Sequence, residues 1–433
     1  MLSNAENKLL CQVGPGTMMG NLLRRYWTPA LLAVDVPEPD SPPVRVRLLA
    51  EDMVAFRDSN GLVGLVANAC PHRGASLFFG RNEEVGLRCV YHGWKFDLTG
   101  ACVDMPSEPA ESNFKNKVHV RAYPTHEAGG VIWTYMGPAE TMPPFRDLGF
   151  DSLSKDQWHA SKVLSTCSWI QGLEGNIDSS HTAFLHLNFS AREAQADDTD
   201  KPGIPSPQMA THVRMFDRAP RIEVQDTPYG LRYAGLRNTP NGNVHVRITE
   251  VIAPWFCYVA SNPFNDNDIT MQIPIDDTSH WRMYITTKAV SNRAALRNNP
   301  PPYPDYHLDG FHEREVSIEN DYLMDREVQK TINYTGIYGI PQQDMAMTET
   351  MGPIFDRSNE HLGTSDGAII RFRRMLLKAA RDLEKGIVPP GVDPAYPYHK
   401  IRGAERIIAK GDDWRILGTE NDPLERQAAP IVR

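Results

Sequence analysis

Two short loops each place a cysteine beside a histidine in the first quarter of the chain. The first loop is Cys70-x-His72 and the second is Cys89-x₂-His92. Each loop offers one thiolate and one imidazole, so the two loops supply four metal ligands of two chemical kinds. The fold of this region must therefore bring the two loops together around one site.

The mixture of ligand types within each loop indicates which metal group is bound. A Rieske [2Fe–2S] centre uses two cysteines on one iron and two histidines on the other, which fits loops that mix the two types. The alternative is a structural zinc site with the same four ligands. Zinc sites usually pair like with like, with the cysteines close together and the histidines about three to five residues apart. The pattern therefore favours the Rieske centre.

Composition places the chain among ordinary globular proteins, with 433 residues, 41% hydrophobic and 23% charged. That length predicts about two or three domains. The net charge of −9 argues against non-specific binding to nucleic acid, which requires a basic surface. The N-terminal segment lacks a signal-peptide pattern, no apolar stretch is long enough to span a bilayer, and the six cysteines form no disulfide pattern. We therefore expect a cytoplasmic protein that binds neither nucleic acid nor membrane.

Alternating apolar and polar residues predict short β-strands around the two loops. Residues 1–40 are expected to form a helical lead-in, which includes the apolar run 18–32. A small all-β domain is expected at 41–145, with a hairpin turn at Asn60-Gly61. The strands of this domain would carry the two ligand loops.

Residues 150–433 mix helical and strand patterns and are expected to form the second domain. The pattern predicts a helix over 169–187 and a long hairpin over 230–249. A loop rich in proline, aspartate and serine at 196–209 has the composition of a lid over a substrate site.

A second candidate metal site lies inside the predicted helix, at Asp178, His181 and His186. Two histidines and one carboxylate form the facial triad of non-haem iron(II) oxygenases, which leaves positions open for O₂ and substrate. An ideal helix separates the two histidines by about 140°, so one shared ion requires a local distortion such as a π-bulge. The alternative is a helix with two histidines that are satisfied by ordinary hydrogen bonds.

The whole pattern resembles the oxygenase component of Rieske non-haem iron aromatic-ring hydroxylases, most closely the phthalate 4,5-dioxygenase group. The resemblance rests on the two cysteine–histidine loops, the Asn-x-Asp-x₂-His-x₄-His element at 176–186, and the run Gln-Asp-Met-Ala-Met-Thr-Glu at 343–349. It implies an α+β fold. An N-terminal all-β Rieske domain would precede an α+β catalytic domain with a central antiparallel sheet and a mononuclear iron site.

The resemblance implies a set of ligands for the mononuclear iron(II). His181 and His186 would be two of them, and Asp344 matches the position of the third. Two other acids, Asp321 and Asp325, compete with Asp344 for this role, although their simplest interpretation is a helix surface.

The resemblance also implies how electrons reach that iron. The [2Fe–2S] cluster would be held by Cys70, His72, Cys89 and His92. Asp178 would connect a cluster histidine of a neighbouring subunit to a ligand histidine, because the two centres of one chain are too far apart for fast transfer. Such a head-to-tail interface closes into a ring, so we expect a homotrimer or a stacked pair of trimers, a hexamer.

Members of this group act on aromatic carboxylic acids, so cations on the predicted strands are candidate substrate contacts. Arg237 and Arg247 lie on the two strands of the long hairpin, and a planar guanidinium can bind both oxygens of a carboxylate. Arg221 and Arg232 are weaker candidates. Each of these arginines could instead be an ordinary surface charge.

The resemblance implies a multicomponent dioxygenase. A flavin and ferredoxin reductase would pass electrons from NADH or NADPH to the cluster, and both atoms of O₂ would add to adjacent ring carbons to give a cis-dihydrodiol. One alternative is a Rieske monooxygenase or O-demethylase, which inserts a single oxygen atom. A more distant alternative is a non-catalytic electron-transfer or metal-binding protein, which would contain one type of iron site rather than two.

Overall fold

In a computed structural model of the chain, the expected hairpin turn joins the strands Glu51–Arg57 and Val63–Ala67. The Asp58 carboxylate accepts two backbone hydrogen bonds within this turn. Gly61 has a φ of 83°, a conformation that glycine adopts without a Cβ clash. The prediction of a hairpin at this position is confirmed.

The structure describes residues 1–109, 111–149, 154, 157–189, 200–259, 269–287 and 316–423. The chain divides into two compact units. The smaller comprises Gln12–Phe145 and Ile273–Asp277, and the larger comprises Met1–Cys11, Arg146–Gln272 and Thr278–Arg433. The first part of the expected lid, before Asp200, lies outside the described residues. Within the described ranges, no helix is long and apolar enough to cross a lipid bilayer.

Three antiparallel sheets build the smaller unit. Its strands are β1 (Trp27–Leu32), β2 (Val44–Leu48), β3 (Glu51–Arg57), β4 (Val63–Ala67), β5 (Arg81–Asn82), β6 (Leu87–Arg88), β7 (Lys95–Phe96), β8 (Cys102–Asp104), β9 (Ala122–Tyr123), β10 (Thr125–Ala128) and β11 (Val131–Tyr135). They pair in the orders β1-β11-β10, β2-β3-β4-β9 and β5-β6-β7-β8. Cys70 and Cys89 belong to the buried core of this unit, together with Phe56 and Trp94. The expected all-β fold of the N-terminal region is confirmed.

The helical lead-in expected over 1–40 is only partly correct. Helices α1 (Asn4–Cys11) and α2 (Met18–Leu23) are present, and the Thr17 side chain caps α2. The end of the apolar run is not helical, because β1 is a fully buried strand that pairs with β11. A short apolar run has no periodicity that distinguishes a buried strand from a helix, so the pairing decides its structure.

A large antiparallel sheet forms the core of the larger unit, as the sequence predicts. Its strands are β12 (Trp158–Ser165), β13 (Arg221–Thr227), β14 (Gly230–Asn238), β15 (Val244–Ile252), β16 (Phe256–Tyr258), β17 (Ile269–Pro274), β18 (His280–Thr287) and β19 (Ala404–Ile408). The order is β12-β18-β17-β16-β15-β14-β13, and β19 pairs with β15. The long hairpin β14–β15 places Arg237 and Arg247 on neighbouring strands.

The helix expected over 169–187 is shorter than predicted. In the described residues of the larger unit, the helices beyond α1 are α3 (Trp169–Ile177), α4 (Pro207–Phe216), α5 (Arg326–Thr331), α6 (Ile340–Thr350) and α7 (Gly367–Leu383). After α3, Asp178 is extended and its carboxylate accepts the Ser180 N–H at 2.6 Å, a local bond that competes with continuation of the helix. A short 3₁₀ turn, His181–Ala183, follows. The expected π-bulge is therefore wrong, because the two histidines do not share one helix.

Candidate metal centres

Three side chains of the larger unit converge on one point, two from the turn after α3 and one from α6. His181 Nε2 lies 3.1 Å from His186 Nε2 and 4.0 Å from Asp344 Oδ1. His186 Nε2 lies 3.2 Å from the same carboxylate oxygen. The three ligand atoms all lie within 4.8 Å of one another, so these residues can hold one metal ion. Two imidazoles and one carboxylate leave positions open on an iron(II) ion.

The position of Asp344 depends on how α6 begins and packs. Gly339 precedes α6 with a φ of 82°, and Pro341 lies in the first turn, where its missing N–H leaves no hydrogen bond unmade. The helix packs against α3. This contact brings Asp344 to the turn that carries the two histidines.

Acceptors behind the two histidines orient both rings. His181 Nδ1 lies 3.3 Å from Asp178 Oδ2, and His186 Nδ1 lies 2.7 Å from Gln343 Oε1. Each Nδ1 therefore donates its proton away from the site, so each Nε2 is the nitrogen available to a metal ion. Outer hydrogen-bond partners of this kind fix the tautomer and ring orientation of metal-binding histidines.

The carboxylates of this site are largely buried, yet their pKa values favour the ionised form. Burial raises the pKa of Asp344, but the neighbouring His186 imidazole and the charge of Arg282 lower it by more. Burial also raises the pKa of Asp178, and its hydrogen bond with His181 outweighs that effect. Both side chains are therefore available as anions, one facing the metal site and one behind it.

Asp321 and Asp325, the two acids that compete with Asp344, do not belong to the group of three converging residues. Asp325 caps α5, where its side chain accepts the N–H groups of Glu327 and Val328. Asp321 lines the cavity beside the cluster but is not one of the three converging residues. The structure thus brings Asp344, and neither of its rivals, to the two histidines.

A cavity of about 1020 Å³ opens beside the group formed by His181, His186 and Asp344. Asp178, His181 and Asp344 line it together with many apolar side chains. Several of those apolar side chains are exposed, namely Phe184, Ile318, Tyr334, Met347 and Met351. An exposed apolar concave surface of this size marks a place where another molecule binds.

The two predicted substrate arginines lie against the histidine-bearing turn. Arg237 is fully buried and donates to the Ser179 carbonyl at 2.8 Å. Arg247 Nη1 lies 3.4 Å from Thr182 Oγ1. Neither arginine lines the large cavity, so they meet the turn from the side of the sheet.

Sequence reasoning missed a third arginine at this place, Arg214 on α4. Arg214 Nη1 lies 3.3 Å from Glu405 Oε1, and Arg247 Nε lies 3.5 Å from the same oxygen. Burial and the neighbouring Arg247 lower the pKa of both Arg214 and Arg237 to about 10. Guanidinium groups outnumber carboxylates in this cluster, which therefore carries an excess of positive charge.

The two weaker arginine candidates make structural contacts instead. Arg221 has a largely exposed side chain and pairs with Glu223 at 3.1 Å. Arg232 is buried, pairs with Glu250 at 3.0 Å, and donates to the Leu417 carbonyl at 2.8 Å. Arg232 therefore connects the sheet to the C-terminal segment.

The two cysteine–histidine loops of the smaller unit fold alike. The Cys70 carbonyl accepts the Gly74 N–H at 2.8 Å, and the Cys89 carbonyl accepts the Gly93 N–H at 2.9 Å. Gly74 and Gly93 have φ values of 76° and 77°, in the left-handed region that favours glycine. A glycine after each histidine thus allows both loops to turn in the same way.

The four loop side chains are sorted by chemical type, which fits a two-iron cluster. The Cys70 thiol contacts the Cys89 thiol, and burial together with this neighbour raises the pKa of Cys70 to about 11. The rings of His72 and His92 have centroids 4.4 Å apart. His72 Nδ1 is buried and has no hydrogen-bond partner among the described residues. A pair of thiols beside a pair of imidazoles matches a cluster with different ligands on its two irons.

The zinc alternative fits this geometry less well. A single zinc ion gathers its four ligand atoms at one point. In the part of the chain that the structure describes, the group of three or more ligands within 4.8 Å of one another is His181, His186 and Asp344. The loop residues do not form such a group, so they do not converge on one ion.

Comparisons with known proteins match both parts of the chain to family models. Residues 26–124 match the family model of the Rieske [2Fe-2S] domain, and residues 134–430 match the LigXa C-terminal domain like model. The chain is 40% identical to the phthalate 4,5-dioxygenase oxygenase subunit of Pseudomonas putida, over 96% of this chain and 94% of that protein. It is 37% identical to the 3-chlorobenzoate-3,4-dioxygenase oxygenase subunit of Comamonas testosteroni, over 96% and 97%. The crystal structure of dicamba monooxygenase bound to dicamba shares the fold, with a TM-score of 0.56 and 16% identity over 84% of this chain and 99% of that one.

Proposed function

This chain belongs to the Rieske non-haem iron oxygenases, and we propose that it is the oxygenase component of a multicomponent dioxygenase for an aromatic carboxylic acid of the phthalate type. Its cofactors are a Rieske [2Fe–2S] cluster and a mononuclear iron. The proposed reaction adds both atoms of O₂ to adjacent ring carbons and gives a cis-dihydrodiol. The names of the two relatives at 40% and 37% identity support this reaction class.

One observation carries the proposal, namely two imidazole nitrogens and one carboxylate oxygen that converge beside an open cavity. The proposed ligands are Cys70, His72, Cys89 and His92 for the cluster, and His181, His186 and Asp344 for the mononuclear iron. When bound, the cluster supplies single electrons and the iron(II) supplies open positions for O₂. The Nδ1 of His72 is buried and lacks a hydrogen-bond partner among the described residues. This supports His72 as a ligand of the [2Fe–2S] cluster.

Asp178 is the proposed electron path to the iron. Its carboxylate lies 3.3 Å from His181 Nδ1 and also lines the cavity. In this proposal a cluster histidine of a neighbouring subunit enters the cavity and meets Asp178 from the other side. The exposed apolar side chains around the cavity support a protein occupant. We therefore propose a homotrimer, or a stacked pair of trimers.

The cationic cluster of Arg214, Arg237 and Arg247 is the proposed binding site for the substrate carboxylate. The three guanidinium groups carry more positive charge than the nearby Glu405 carboxylate neutralises. They lie against the turn that carries the two histidines. A buried guanidinium attracts a carboxylate more strongly than an exposed one, because less water screens the charge. Arg247 is the proposed direct contact with the substrate carboxylate, and the fully buried Arg237 supports the positive potential.

We propose that the Rieske domain includes β1 and extends to residue 145, and that residues 150–433 form the catalytic domain. A cytoplasmic location is consistent with six free cysteines, which a reducing compartment preserves.

The decisive experiment is turnover of the purified, iron-loaded protein with an NAD(P)H-dependent flavin and ferredoxin reductase. The substrates are phthalate, isophthalate, terephthalate, halobenzoates and a methoxybenzoate, and the readouts are O₂ uptake, peroxide and product structure. A cis-dihydrodiol formed in step with O₂ uptake supports the proposal. Formaldehyde from the methoxybenzoate would indicate the monooxygenase or O-demethylase alternative. Peroxide release with every acid would contradict the proposed substrate class.

A further inference from the structure

Gln343 lies directly before Asp344 on α6, and its side chain is 5% exposed. Its Oε1 lies 2.7 Å from His186 Nδ1, and its Nε2 donates to the Ile337 carbonyl at 2.8 Å. The second contact determines how the amide is oriented, because a flipped amide would place Oε1 against the carbonyl oxygen. Oε1 is therefore the acceptor, and His186 Nδ1 is the donor.

The loop before α6 holds the Ile337 carbonyl in place. Asn333 Nδ2 donates to this carbonyl at 3.2 Å, and Thr335 Oγ1 donates to it at 3.3 Å. Asn333 Oδ1 in turn accepts the Gly336 N–H at 2.7 Å, and Gly336 has a φ of 76°. The loop is thus organised in advance to keep the Gln343 amide in one orientation.

Different groups hold the two proposed histidine ligands. Asp178, an anion that lines the cavity, holds His181, whereas the neutral amide of Gln343, which does not line the cavity, holds His186. A neutral acceptor fixes a ring without adding a further negative charge next to Asp344. The Gln343 amide therefore orients His186 without adding repulsion between negative charges at the site.

We propose that Gln343 is a positioning residue for the mononuclear iron, which fixes the tautomer and ring plane of His186. Helix α6 then holds two of the three ligands, Asp344 directly and His186 through Gln343. This inference rests on the proposed iron site. Gln343 acts through His186 alone, because its amide is occupied by His186 and Ile337 and does not face the cavity.

The test is the Fe(II) affinity of the mononuclear site in full-length protein that retains its Rieske cluster, measured by competition with a ferrous chelator. Gln343→Leu removes the acceptor and is expected to weaken Fe(II) binding by about 10- to 100-fold. Gln342→Leu is the matched control, because Gln342 is the preceding residue of the same helix and is 3% exposed. Its Fe(II) affinity is expected to stay at the wild-type value.

A spectroscopic readout separates positioning from a general loss of stability. The electron paramagnetic resonance signal of the ferrous site with nitric oxide as a probe should change in Gln343→Leu and stay unchanged in Gln342→Leu. Wild-type Fe(II) affinity in Gln343→Leu would overturn the inference, as would an equal loss of affinity in Gln343→Leu and Gln342→Leu. His186→Ala tests the underlying site separately, because wild-type iron binding in that variant would overturn the proposed function instead.

Discussion

Arg282 engages one oxygen of Asp344, with its Nη1 3.3 Å from Oδ2. The other oxygen, Oδ1, faces His186 Nε2 at 3.2 Å. Arg282 is 1% exposed and lies on β18. The carboxylate is thus turned so that one oxygen meets a buried cation and the other meets the histidines. Arg282 also compensates the buried charge of Asp344, which would otherwise be costly to desolvate.

We predict that Arg282→Met weakens Fe(II) binding at the mononuclear site by about 10- to 100-fold, because Asp344 loses both its orientation and its charge partner. Arg282→Lys keeps the charge without the planar fork, so an intermediate loss is expected. Chelator competition measures the affinity, and the Rieske absorbance serves as the internal control. Equal iron affinity in Arg282→Met and the wild type would contradict this prediction.

We predict that Asp178→Asn retains both cofactors but slows electron transfer to the iron by roughly 10- to 100-fold. The amide preserves the shape of the side chain and removes the charge that holds the His181 Nδ1–H. Single-turnover oxidation of the reduced cluster, with substrate and O₂ present, measures the rate. Asp321→Asn is the control, because Asp321 lines the same cavity outside the three-ligand cluster. Equal slowing in both variants would rule out a specific role for Asp178.

We predict that Arg247→Ala raises the KM for phthalate more than it lowers kcat. A hydrogen bond to a charged group contributes roughly 1.5–3 kcal/mol, so the expected rise in KM is about 10- to 100-fold. Steady-state kinetics with the reductase present provide the measurement. Arg221→Ala is the control, since Arg221 belongs to the same sheet but has a largely exposed side chain. An unchanged KM in Arg247→Ala would remove that residue from the substrate site.

We predict that Glu405 makes the stability of the protein depend on pH in the acidic range. Burial raises its pKa, but His245, Arg247 and Arg214 lower it by more, to about 2. A glutamate in the unfolded chain titrates near pH ~4.3, so the folded state holds the ionised form more tightly. This stabilisation is complete above the unfolded pKa and disappears as the pH falls through the folded pKa.

Glu405→Gln should therefore lower the free energy of unfolding by about 3 kcal/mol near neutral pH, and by progressively less below about pH 4. Urea unfolding at neutral and acidic pH, followed by circular dichroism, measures the difference. Glu384→Gln replaces an exposed carboxylate and is expected to change stability little. A destabilisation that does not vary with pH would show that Glu405 acts through packing rather than charge.

The turn that carries His181 and His186, called here the histidine turn, shows which features of the metal site local sequence can predict and which it cannot. The spacing of His181 and His186 indicated a metal site, but the helix assumed for it was wrong, because the Asp178 carboxylate ends α3 by binding the Ser180 N–H. Asp344 was proposed from a family resemblance alone. Nothing in the local sequence connects α6 to that turn, and only the packing of α6 against α3 brings them together.

The cluster of Arg214, Arg237 and Arg247 also shows that local sequence does not predict contacts between distant segments. The end of the expected lid is helical, because α4 begins at Pro207 and the side chain of Ser206 caps it. The sequence predicted a loop at this place, and no local signal indicates that Arg214 on α4 meets Glu405 on β19. Arg214 was missed for this reason.

By itself, the sequence indicated the two cysteine–histidine loops and the pair of histidines as candidate metal ligands, and it predicted the Asn60-Gly61 hairpin and the division between an all-β region and a mixed α and β region. Each of these depends on residues that are neighbours along the chain. Only the tertiary structure decided that β1 is a strand, that Arg237 and Arg247 meet the histidine turn, and that Gln343 contacts His186 while Arg282 contacts Asp344. Those contacts join segments that are distant in sequence, so they exist only after strands have paired and helices have packed.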